Sequence, residues 1–228
     1  MTDKIKLTPE KLALYFDHTL LRANATPEDF AAFCEESRQY GFKMVAVNSG
    51  QTARCKALLK GSPVRVGAAI GFPLGQMTPA AKRFETQDAL DNGADEIDYV
   101  VNLTELKAGN HAFVADEMQG IVALCRAYSA TSKVIFENCY LTDAEKRTLL
   151  KIALEVQPDF VKTSTGFGTG GATMEDIKLM CETVQGRIGV KAAGGIRDLD
   201  TALRLIDMGV TRIGSTASVR IVETLKAR

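Results

Sequence analysis

Two lysines, each near the C-terminal end of an apolar segment and each followed by glycine, are the residues of this chain best suited to covalent chemistry. Lys162 lies in the segment 159–166 and Lys191 in the segment 188–195. An ammonium group among apolar residues loses hydration, and a second cation nearby repels it, so its pKa falls towards neutrality. A neutral lysine attacks carbonyl carbons, and the backbone N–H groups of glycines can hold a phosphate. The pattern therefore predicts imine chemistry on a phosphorylated carbonyl compound.

Apolar, β-branched segments alternate with helical patterns along the whole chain. These segments lack the strict alternation of strands that face water on one side, which is typical of parallel strands covered on both faces. The predicted strands are 15–19, 43–48, 65–71, 96–102, 133–138, 159–163, 187–192 and 212–215.

Eight β/α units predict an α/β fold, a single (β/α)8 TIM barrel that spans residues 1–228 and carries a short extra helix at 8–14. An open doubly wound sheet is the competing fold. It usually has fewer strands, and no Gly-x-Gly-x-x-Gly motif follows the first strand.

Capping residues mark the ends of the predicted helices. Thr26 and Thr78 each place a hydroxyl before a proline at the first helical position. Thr142 and Glu145 have the spacing of a capping box. Gly41 ends a helical pattern just before a strand, where a left-handed residue is needed.

The composition excludes several classes of protein. Lysine and arginine together number 28, as do aspartate and glutamate, so no basic surface predicts a nucleic-acid partner. Five scattered cysteines without a Cys-x-x-Cys motif indicate reduced thiols and neither a disulfide framework nor a zinc site. The chain lacks an apolar run long enough for a membrane span and begins without the apolar core of a signal peptide. A cytoplasmic protein is expected.

The active site of a (β/α)8 barrel lies at the C-terminal ends of its strands. The polar residues there are Asp17, Thr19, Asn48, Asp98, Lys133, Glu137 and the two lysines. Period two places Asp98 on one face with Glu96 and Val100, and a buried carboxylate requires a lysine from a facing strand. Such a pair is either a structural ion pair or a catalytic group, and each lysine alone could simply reach solvent. Two lysines at one mouth favour catalysis.

Glycine-rich segments predict the phosphate site. The loops after strands seven and eight frequently bind phosphate in this fold, and here they contain Gly194-Gly195 and the segment 214–216. Gly166 and the loop 168–171 lie next to them. The alternative is that these glycines only form βα turns.

Other candidates are weaker. His18 alternates with Asp17 and is expected to pack against the helices. His111 is expected at the surface, and Cys139 has no adjacent base that would activate it. The segment 71–75 predicts a rigid loop at the barrel mouth.

Several motifs resemble the deoxyribose-phosphate aldolase family, in order, from about Leu14 to the last helix. They are Phe-Asp17-His-Thr-Leu-Leu, Gly-Phe72-Pro-Leu-Gly, Gly-Ala-Asp-Glu-Ile-Asp98, Lys133-Val-Ile-Phe-Glu137, Asp-Phe-Val-Lys162-Thr-Ser-Thr-Gly-Phe and Ile-Gly-Val-Lys191-Ala-Ala-Gly-Gly-Ile-Arg197. The resemblance implies a class I aldolase of carbohydrate degradation that needs no metal or other cofactor. Its reaction would be the reversible cleavage of 2-deoxy-D-ribose 5-phosphate to D-glyceraldehyde 3-phosphate and acetaldehyde.

The resemblance also implies roles for individual residues. Lys162 corresponds to the Schiff-base lysine, and Lys191 to the second lysine that lowers its pKa. Asp98 corresponds to the acid/base carboxylate, which works with ordered water, and Asp17 would orient Lys191. The residues implied for substrate and phosphate binding are Thr19, Thr165, Gly166, Gly194, Gly195, Gly214, Ser215 and Thr216. The expected partners are the phosphosugar, acetaldehyde and a second copy of the chain in a homodimer.

Four positions depart from the family pattern. Many members carry two serines where this chain has Thr216 and Ala217, some carry a lysine in place of Phe167, and threonine is common in place of Asn138. Two alternative functions are another class I aldolase with a different aldehyde pair and a non-catalytic phosphosugar-binding barrel. Binding of phosphate alone would require neither the lysines nor Asp98 at these places.

Overall fold

The computed structural model describes residues 7–228, in which eight parallel strands form a closed barrel with β1 hydrogen-bonded to both β2 and β8. The strands are β1 (Phe16–Leu20), β2 (Met44–Asn48), β3 (Arg65–Ile70), β4 (Glu96–Val100), β5 (Thr131–Ile135), β6 (Phe160–Lys162), β7 (Gly189–Ala193) and β8 (Arg212–Ser215). The predicted (β/α)8 fold is confirmed. Residues 1–6 of the predicted domain lie outside the described residues.

Helices separate the strands and surround the barrel. The α-helices of the described residues are α1 (Pro9–Ala13), α2 (Pro27–Tyr40), α3 (Thr52–Leu58), α4 (Pro79–Asp91), α5 (Leu103–Lys107), α6 (His111–Ala127), α7 (Asp143–Val156), α8 (Met174–Val184), α9 (Leu199–Asp207) and α10 (Ser218–Lys226). Short 3-10 helices cover Ser49–Gln51 and Asn138–Tyr140. The predicted extra helix is α1, which packs against α10. Within residues 7–228, no helix combines the length and apolarity needed to cross a membrane.

The capping signals place the helix ends as predicted. The backbone N–H of Thr142 donates to Glu145 Oε2 at 2.7 Å, which completes the capping box at the start of α7. Asp29 forms the same arrangement with Thr26 at the start of α2. Gly41 ends α2 in the left-handed conformation, with φ of 64°.

Strand boundaries differ from the prediction mainly where polar residues begin a turn. The fourth strand ends at Val100 and not at 102, because the side chain of Asn102 caps α5 by accepting from the N–H of Glu105. The fifth strand begins at Thr131, two residues earlier than predicted, because Thr131 pairs with Glu96 of β4.

The sheet separates an apolar layer from a charged one. Side chains such as Ile97, Tyr99 and Val134 point outwards and form the main hydrophobic core with the helices. Their strand neighbours point into the barrel, and in β4 to β8 many of these are charged. The register places Asp98 beside Lys133 of the next strand. The barrel interior is therefore the place where buried charges must be paired.

Candidate active site

Asp98 and the two lysines singled out from the sequence meet inside the barrel, where Lys162 ends β6 and Asp98 and Lys191 are the central residues of β4 and β7. Oδ2 of Asp98 accepts from Nζ of Lys162 at 2.8 Å and from Nζ of Lys191 at 2.5 Å. Lys191 is fully buried, whereas Lys162 retains 5% exposure at the mouth. One carboxylate oxygen thus bridges two ammonium groups, and the group nearer the solvent is Lys162.

The surroundings of Lys162 favour its neutral form. Burial is the largest influence and lowers the pKa of Lys162; Asp98 opposes this shift, and Lys191 and Lys133 reinforce it. The resulting pKa is about 8. At pH 7 about one amine in ten is then neutral, compared with fewer than about one in a thousand at an ordinary lysine. This fraction is enough for nucleophilic attack on a carbonyl group.

Asp98 remains a carboxylate. Burial raises the pKa of its carboxyl, but Lys133, Lys162 and Lys191 together hold that pKa well below its usual value. An ionised Asp98 can accept a proton from a substrate hydroxyl, which a protonated carboxyl could not do.

Asp17 completes the set of four residues predicted to be catalytic. Its Oδ2 lies 2.5 Å from Nζ of Lys191, and its Oδ1 accepts from Nε of Arg212 at 2.7 Å. Burial raises the pKa of the Asp17 carboxyl, but Lys191 and Arg212 outweigh burial, so the pKa is lowered overall. Asp17 contacts Lys191 directly, and its role of orienting Lys191 stays a prediction from the family resemblance.

Three further charged residues occupy the barrel interior below these four. Nζ of Lys133 donates to Oδ1 of Asp98 at 2.6 Å and lies 2.6 Å from Oε2 of Glu96. The same Glu96 oxygen accepts from Arg212 at 2.8 Å. The sequence places Lys133 at a strand end but does not identify its partners. The apolar strand around Lys133 indicates that its charge is buried, but it does not show which carboxylates face it.

These seven residues form what we call the barrel charge network. Among the described residues, its buried members are four cations and three carboxylates: Lys133, Lys162, Lys191 and Arg212, and Asp17, Glu96 and Asp98. The exposed Arg65 approaches Glu96 at 3.5 Å from the outside. Fully charged, the network carries one buried positive charge in excess. Loss of one proton balances it, and Lys162 is the lysine whose pKa is lowered to about 8.

The glycines predicted to hold phosphate occupy different environments. Gly166 and Gly195 are exposed, and a Cβ on either would meet no atom within 4 Å, so their backbone groups are accessible at the mouth. Gly194 is packed against Gly171. Gly214 lies within β8, where a Cβ would stand 3.4 Å from Cε of Lys191. The lack of a side chain at Gly214 therefore makes room for Lys191 more directly than for a phosphate.

Three of the four hydroxyl groups in the same set already have partners in the protein. Thr165 donates from its hydroxyl and from its N–H to the carboxylate of Glu137. Ser215 donates to the carbonyl of Ile196 at 2.7 Å, and Thr19 donates to the carbonyl of Asp17 at 2.9 Å. These side chains shape the loops, which leaves backbone N–H groups as the more accessible donors for a phosphate.

The start of α10 lies beside these loops. Thr216 is exposed, and Ala217 occupies the N-cap position, where no side chain accepts from the first N–H groups of the helix. Free N–H groups at a helix N-terminus attract anions. The alanine that departs from the family pattern thus lies at the point where a capping hydroxyl would be expected.

Glu137 has a backbone conformation that the sequence did not indicate. Its φ and ψ are 53° and 61°, in the left-handed region that few residues other than glycine adopt. This conformation turns its buried carboxylate towards Thr165. The loop after β6 is thereby fixed to the end of β5.

An apolar wall borders the mouth on the side of β4 to β6. Phe72 packs edge-on against Phe167 with ring centroids 5.5 Å apart. Leu74 and Phe167 are 69% and 57% exposed, and they line a shallow pocket with Val100, Leu103, Tyr140 and Glu137. The predicted loop 71–75 is anchored by Gly71, whose N–H donates to Glu85 at 2.8 Å.

The weaker candidates lie outside this centre. His18 stacks on Phe33 with centroids 4.7 Å apart and contacts Glu36 at 3.0 Å, so its packing role is confirmed. His111 is exposed at the start of α6, also as predicted. In the part of the chain from 7 to 228, no group of three or more His, Cys, Asp or Glu side chains could hold a metal ion.

Comparison with known sequences identifies a family of aldolases. Residues 11–214 match the sequence model of the DeoC/LacD family aldolases. A deoxyribose-phosphate aldolase of Bacteroides thetaiotaomicron is 53% identical over 220 residues, which are 96% of this chain and 92% of that protein. One from Lactobacillus acidophilus is 50% identical and covers 98% of this chain and 94% of that protein.

A solved structure supports the same relationship. The tetrameric deoxyribose phosphate aldolase of Aeropyrum pernix superposes with a TM-score of 0.90 at 33% identity, over 96% of this chain and 93% of that one. The match of fold and sequence extends over nearly the whole barrel, including every strand that carries a member of the barrel charge network. The chain belongs to the DeoC/LacD family of aldolases.

Proposed function

We propose that this chain is a class I aldolase that cleaves 2-deoxy-D-ribose 5-phosphate, reversibly, to D-glyceraldehyde 3-phosphate and acetaldehyde. The observation that carries the proposal is the single oxygen of Asp98 that accepts from both Lys162 and Lys191 at the barrel mouth. It joins a nucleophile, a base and a second cation within hydrogen-bonding distance. The near relatives named deoxyribose-phosphate aldolase support the choice of substrate.

The first step is formation of the imine. Neutral Nζ of Lys162 attacks C1 of the open-chain sugar, and the carbinolamine loses water to give a protonated imine. Three proton transfers are needed: one to the carbonyl oxygen, one from the attacking nitrogen, and one to the carbinolamine hydroxyl so that it leaves as water. The Lys191 ammonium can supply the first proton, and Asp98, 2.8 Å from Nζ of Lys162, can accept the second. Asp98 then returns its proton to the leaving hydroxyl and is again a carboxylate.

Cleavage follows because the protonated imine withdraws electrons. The C2–C3 bond breaks, its electron pair forms the enamine, and the C3 hydroxyl loses its proton as the aldehyde of D-glyceraldehyde 3-phosphate forms. Asp98 is the base for this proton, directly or through an ordered water. Protonation of the enamine at C2 and addition of water then release acetaldehyde and restore the amine of Lys162.

The phosphate is proposed to bind on the β7–β8 side of the mouth. Backbone N–H groups near Gly194 and Gly195 and the uncapped start of α10 are available there. The opposite side presents the carboxylate of Glu137 and an apolar wall, both of which disfavour a phosphate dianion. The substrate is thereby oriented with C1 at Lys162 and C5 towards α10.

Three expectations belong to the proposal and stay open to test. Residues 1–228 are proposed to act as one catalytic domain, the protein to work in the cytoplasm, and the chain to form a homodimer. The tetrameric relative from Aeropyrum pernix supports assembly of identical chains in general. Light scattering coupled to gel filtration distinguishes a monomer, a dimer and a tetramer.

Borohydride trapping tests the imine directly. The protein is incubated with acetaldehyde and sodium borohydride, digested and analysed by mass spectrometry. We expect one added ethyl group on the peptide that contains Lys162, no adduct there in Lys162→Met, and an unchanged adduct in Lys178→Met, which removes an exposed lysine. Ethylation confined to another lysine, or full activity in Lys162→Met, would contradict the assignment.

A second assay separates the proposed function from its alternatives. Release of acetaldehyde from 2-deoxyribose 5-phosphate is compared with cleavage of other phosphorylated and unphosphorylated hydroxyaldehydes. Trapping at Lys162 without cleavage of 2-deoxyribose 5-phosphate would indicate another class I aldolase. Binding of the phosphosugar with neither trapping nor cleavage would indicate a non-catalytic barrel.

A further inference from the structure

Lys133 contacts the catalytic carboxylate and, like Lys191, is closed off from solvent. Its side chain is fully buried in the barrel interior, and its Nζ donates to Oδ1 of Asp98 at 2.6 Å. Its other contacts are Oε2 of Glu96 at 2.6 Å and the sulfur of Met44 at 3.4 Å. Each of these contacts is inside the protein, so Lys133 cannot reach a substrate at the mouth.

Lys133 contacts one oxygen of Asp98, and the two lysines nearer the mouth contact the other. Oδ1 is taken by Lys133 from below, and Oδ2 faces Lys162 and Lys191. A carboxylate held through one oxygen cannot rotate to place both oxygens on one ammonium. Only a single oxygen is then shared between the nucleophile and the second lysine, which limits how strongly Asp98 can retain the proton of Lys162.

The charges around Lys133 come from five of the other strands. They are Asp17 on β1, Glu96 and Asp98 on β4, Lys162 on β6, Lys191 on β7 and Arg212 on β8. The neighbour from β2 is the uncharged Met44, whose sulfur also approaches Arg212 at 3.6 Å. Lys133 therefore adds positive charge beneath Lys162 in addition to holding Asp98.

We propose that Lys133 is a positioning residue of the aldol reaction, which holds Oδ1 of Asp98 so that only Oδ2 remains to exchange protons with Lys162 and the substrate. This inference rests on the proposed function and extends it below the mouth. Without Lys133, Asp98 turns and accepts from Lys162 through both oxygens. The ammonium form of Lys162 is then favoured, and imine formation requires a higher pH.

A simpler explanation would be that Lys133 acts only through its charge. Lys133→Met removes one cation, whereas the double variant Lys133→Met/Glu96→Gln also removes one carboxylate and restores the original sum of charges. The release of Oδ1 occurs in both variants. A shift caused by the freed oxygen persists in the double variant, and a shift caused by net charge is reversed in it.

The experiment measures how the rate of reductive ethylation of Lys162 by acetaldehyde and cyanoborohydride depends on pH. The proteins are the unmodified chain, the single and double variants, and Lys82→Met. Lys82 is the matched control, because it is fully buried and lies 2.7 Å from Glu117, but it is outside the barrel interior. Thermal unfolding of each protein is recorded in parallel.

We expect the acidic limb of the rate profile to move upwards by about one pH unit in Lys133→Met, which is a tenfold loss of rate near pH 7. The double variant retains this shift, and Lys82→Met unfolds more easily without any shift. If Lys133→Met alone does not fold, the double variant, which lacks the unpaired Glu96 charge, supplies the same comparison. An unshifted limb in either Lys133 variant, or a shift that disappears in the double variant, overturns the proposal.

The readout separates this inference from the proposed function. Acetaldehyde reports on Lys162 whichever sugar is the natural substrate, so failure to cleave 2-deoxyribose 5-phosphate changes the proposed function alone. Absence of any trapping in the unmodified chain would refute both. If the unmodified chain is ethylated at Lys162 and Lys133→Met has the same pH dependence, only the positioning role of Lys133 is refuted.

Discussion

Two of the places in residues 7–228 where lysine is buried against carboxylate differ in charge balance and in access. Behind β4, between α4 and α6, Lys82 lies 2.7 Å from Glu117, and both side chains are fully enclosed. Nζ of Lys82 also donates to the carbonyl of Val100 at 2.7 Å, and Glu117 accepts from the N–H of Asn102 at 3.0 Å. This pair has one charge of each sign and no path to solvent.

The barrel charge network has one cation in excess and a lysine at the mouth. Burial lowers the pKa of Lys82 as it does that of Lys162, and it raises the pKa of Glu117. A lowered pKa therefore does not by itself identify the nucleophile. What distinguishes Lys162 is that neutralising it relieves an excess charge and that a carbonyl compound can reach it.

The largest loss of stability is expected when the Lys82–Glu117 pair is broken. Lys82→Met leaves the carboxylate of Glu117 buried without its cation, and such a change typically costs about 3–5 kcal/mol of the free energy of unfolding. Lys82→Met/Glu117→Gln removes both charges and should recover much of this loss. Urea unfolding monitored by circular dichroism measures both values. A loss below about 1 kcal/mol in the single variant would show that the pair is not a structural support of β4.

Replacement of Lys162 is expected to raise the free energy of unfolding, whereas replacement of Lys82 lowers it. A pKa lowered from 10.5 to about 8 means that the folded protein holds this proton less readily than the unfolded chain. Below pH 8 both states are protonated, and the folded state bears a penalty on the order of 3 kcal/mol. Above pH 8 the folded state releases the proton, so the penalty declines and disappears near pH 10.5.

Lys162→Met removes that penalty while Asp98 keeps Lys133 and Lys191 as partners. We expect the variant to be more stable than the unmodified chain below pH 8, by up to about 3 kcal/mol, and the difference to shrink as the pH rises towards 10.5. Urea unfolding at pH 7 and at pH 9.5 tests this. A variant that is less stable at pH 7 would show that the network is balanced with Lys162 charged.

The fold and the four central residues could be predicted because they depend on local patterns. Apolar segments, capping residues and glycine stops repeat along the chain, and a charged residue such as Asp98 inside an apolar strand indicates a buried polar centre. The same patterns place Lys162 and Lys191 towards the ends of two apolar segments, and these segments are neighbouring strands of one barrel.

The lower half of the network could not be predicted in the same way. Arg212 is 116 residues from Glu96 in the sequence, and their contact depends on how the closed sheet is staggered. The engaged hydroxyl of Thr165 depends on the left-handed conformation of Glu137, a residue type that rarely adopts it. Both features are properties of tertiary geometry and leave no periodic signal in the sequence.

Replacement of Lys191 tests the contribution of the second cation. Lys191→Leu removes a positive charge that lowers the pKa of Lys162, so the acidic limb of the kcat/KM profile should move upwards. A shift of about one pH unit corresponds to about 1.4 kcal/mol of interaction between the two amines. Lys178→Met, at the exposed face of α8, is the control and should leave the limb in place. A reduced rate with an unchanged limb would mean that Lys191 acts only in proton transfer.

The smallest effect is expected from Ala217→Ser, on the phosphate side of the barrel mouth. The serine hydroxyl at this N-cap can contact a phosphate, or it can accept from the first N–H groups of α10. The first outcome lowers KM for 2-deoxyribose 5-phosphate by the equivalent of about 0.5–1.5 kcal/mol, and leaves the values for 2-deoxyribose unchanged. The second raises the free energy of unfolding by about 1 kcal/mol without improving KM.

The unmodified chain supplies the reference for this comparison. Backbone N–H groups are fixed before the ligand arrives, so 2-deoxyribose 5-phosphate should be clearly preferred over 2-deoxyribose even with alanine in place, mostly through KM. The test requires only kcat/KM for both sugars, measured on the unmodified chain and on Ala217→Ser. Equal values for the two sugars on the unmodified chain would show that the loops after β7 and β8 do not bind phosphate, and that the excess charge of the barrel serves Lys162 alone.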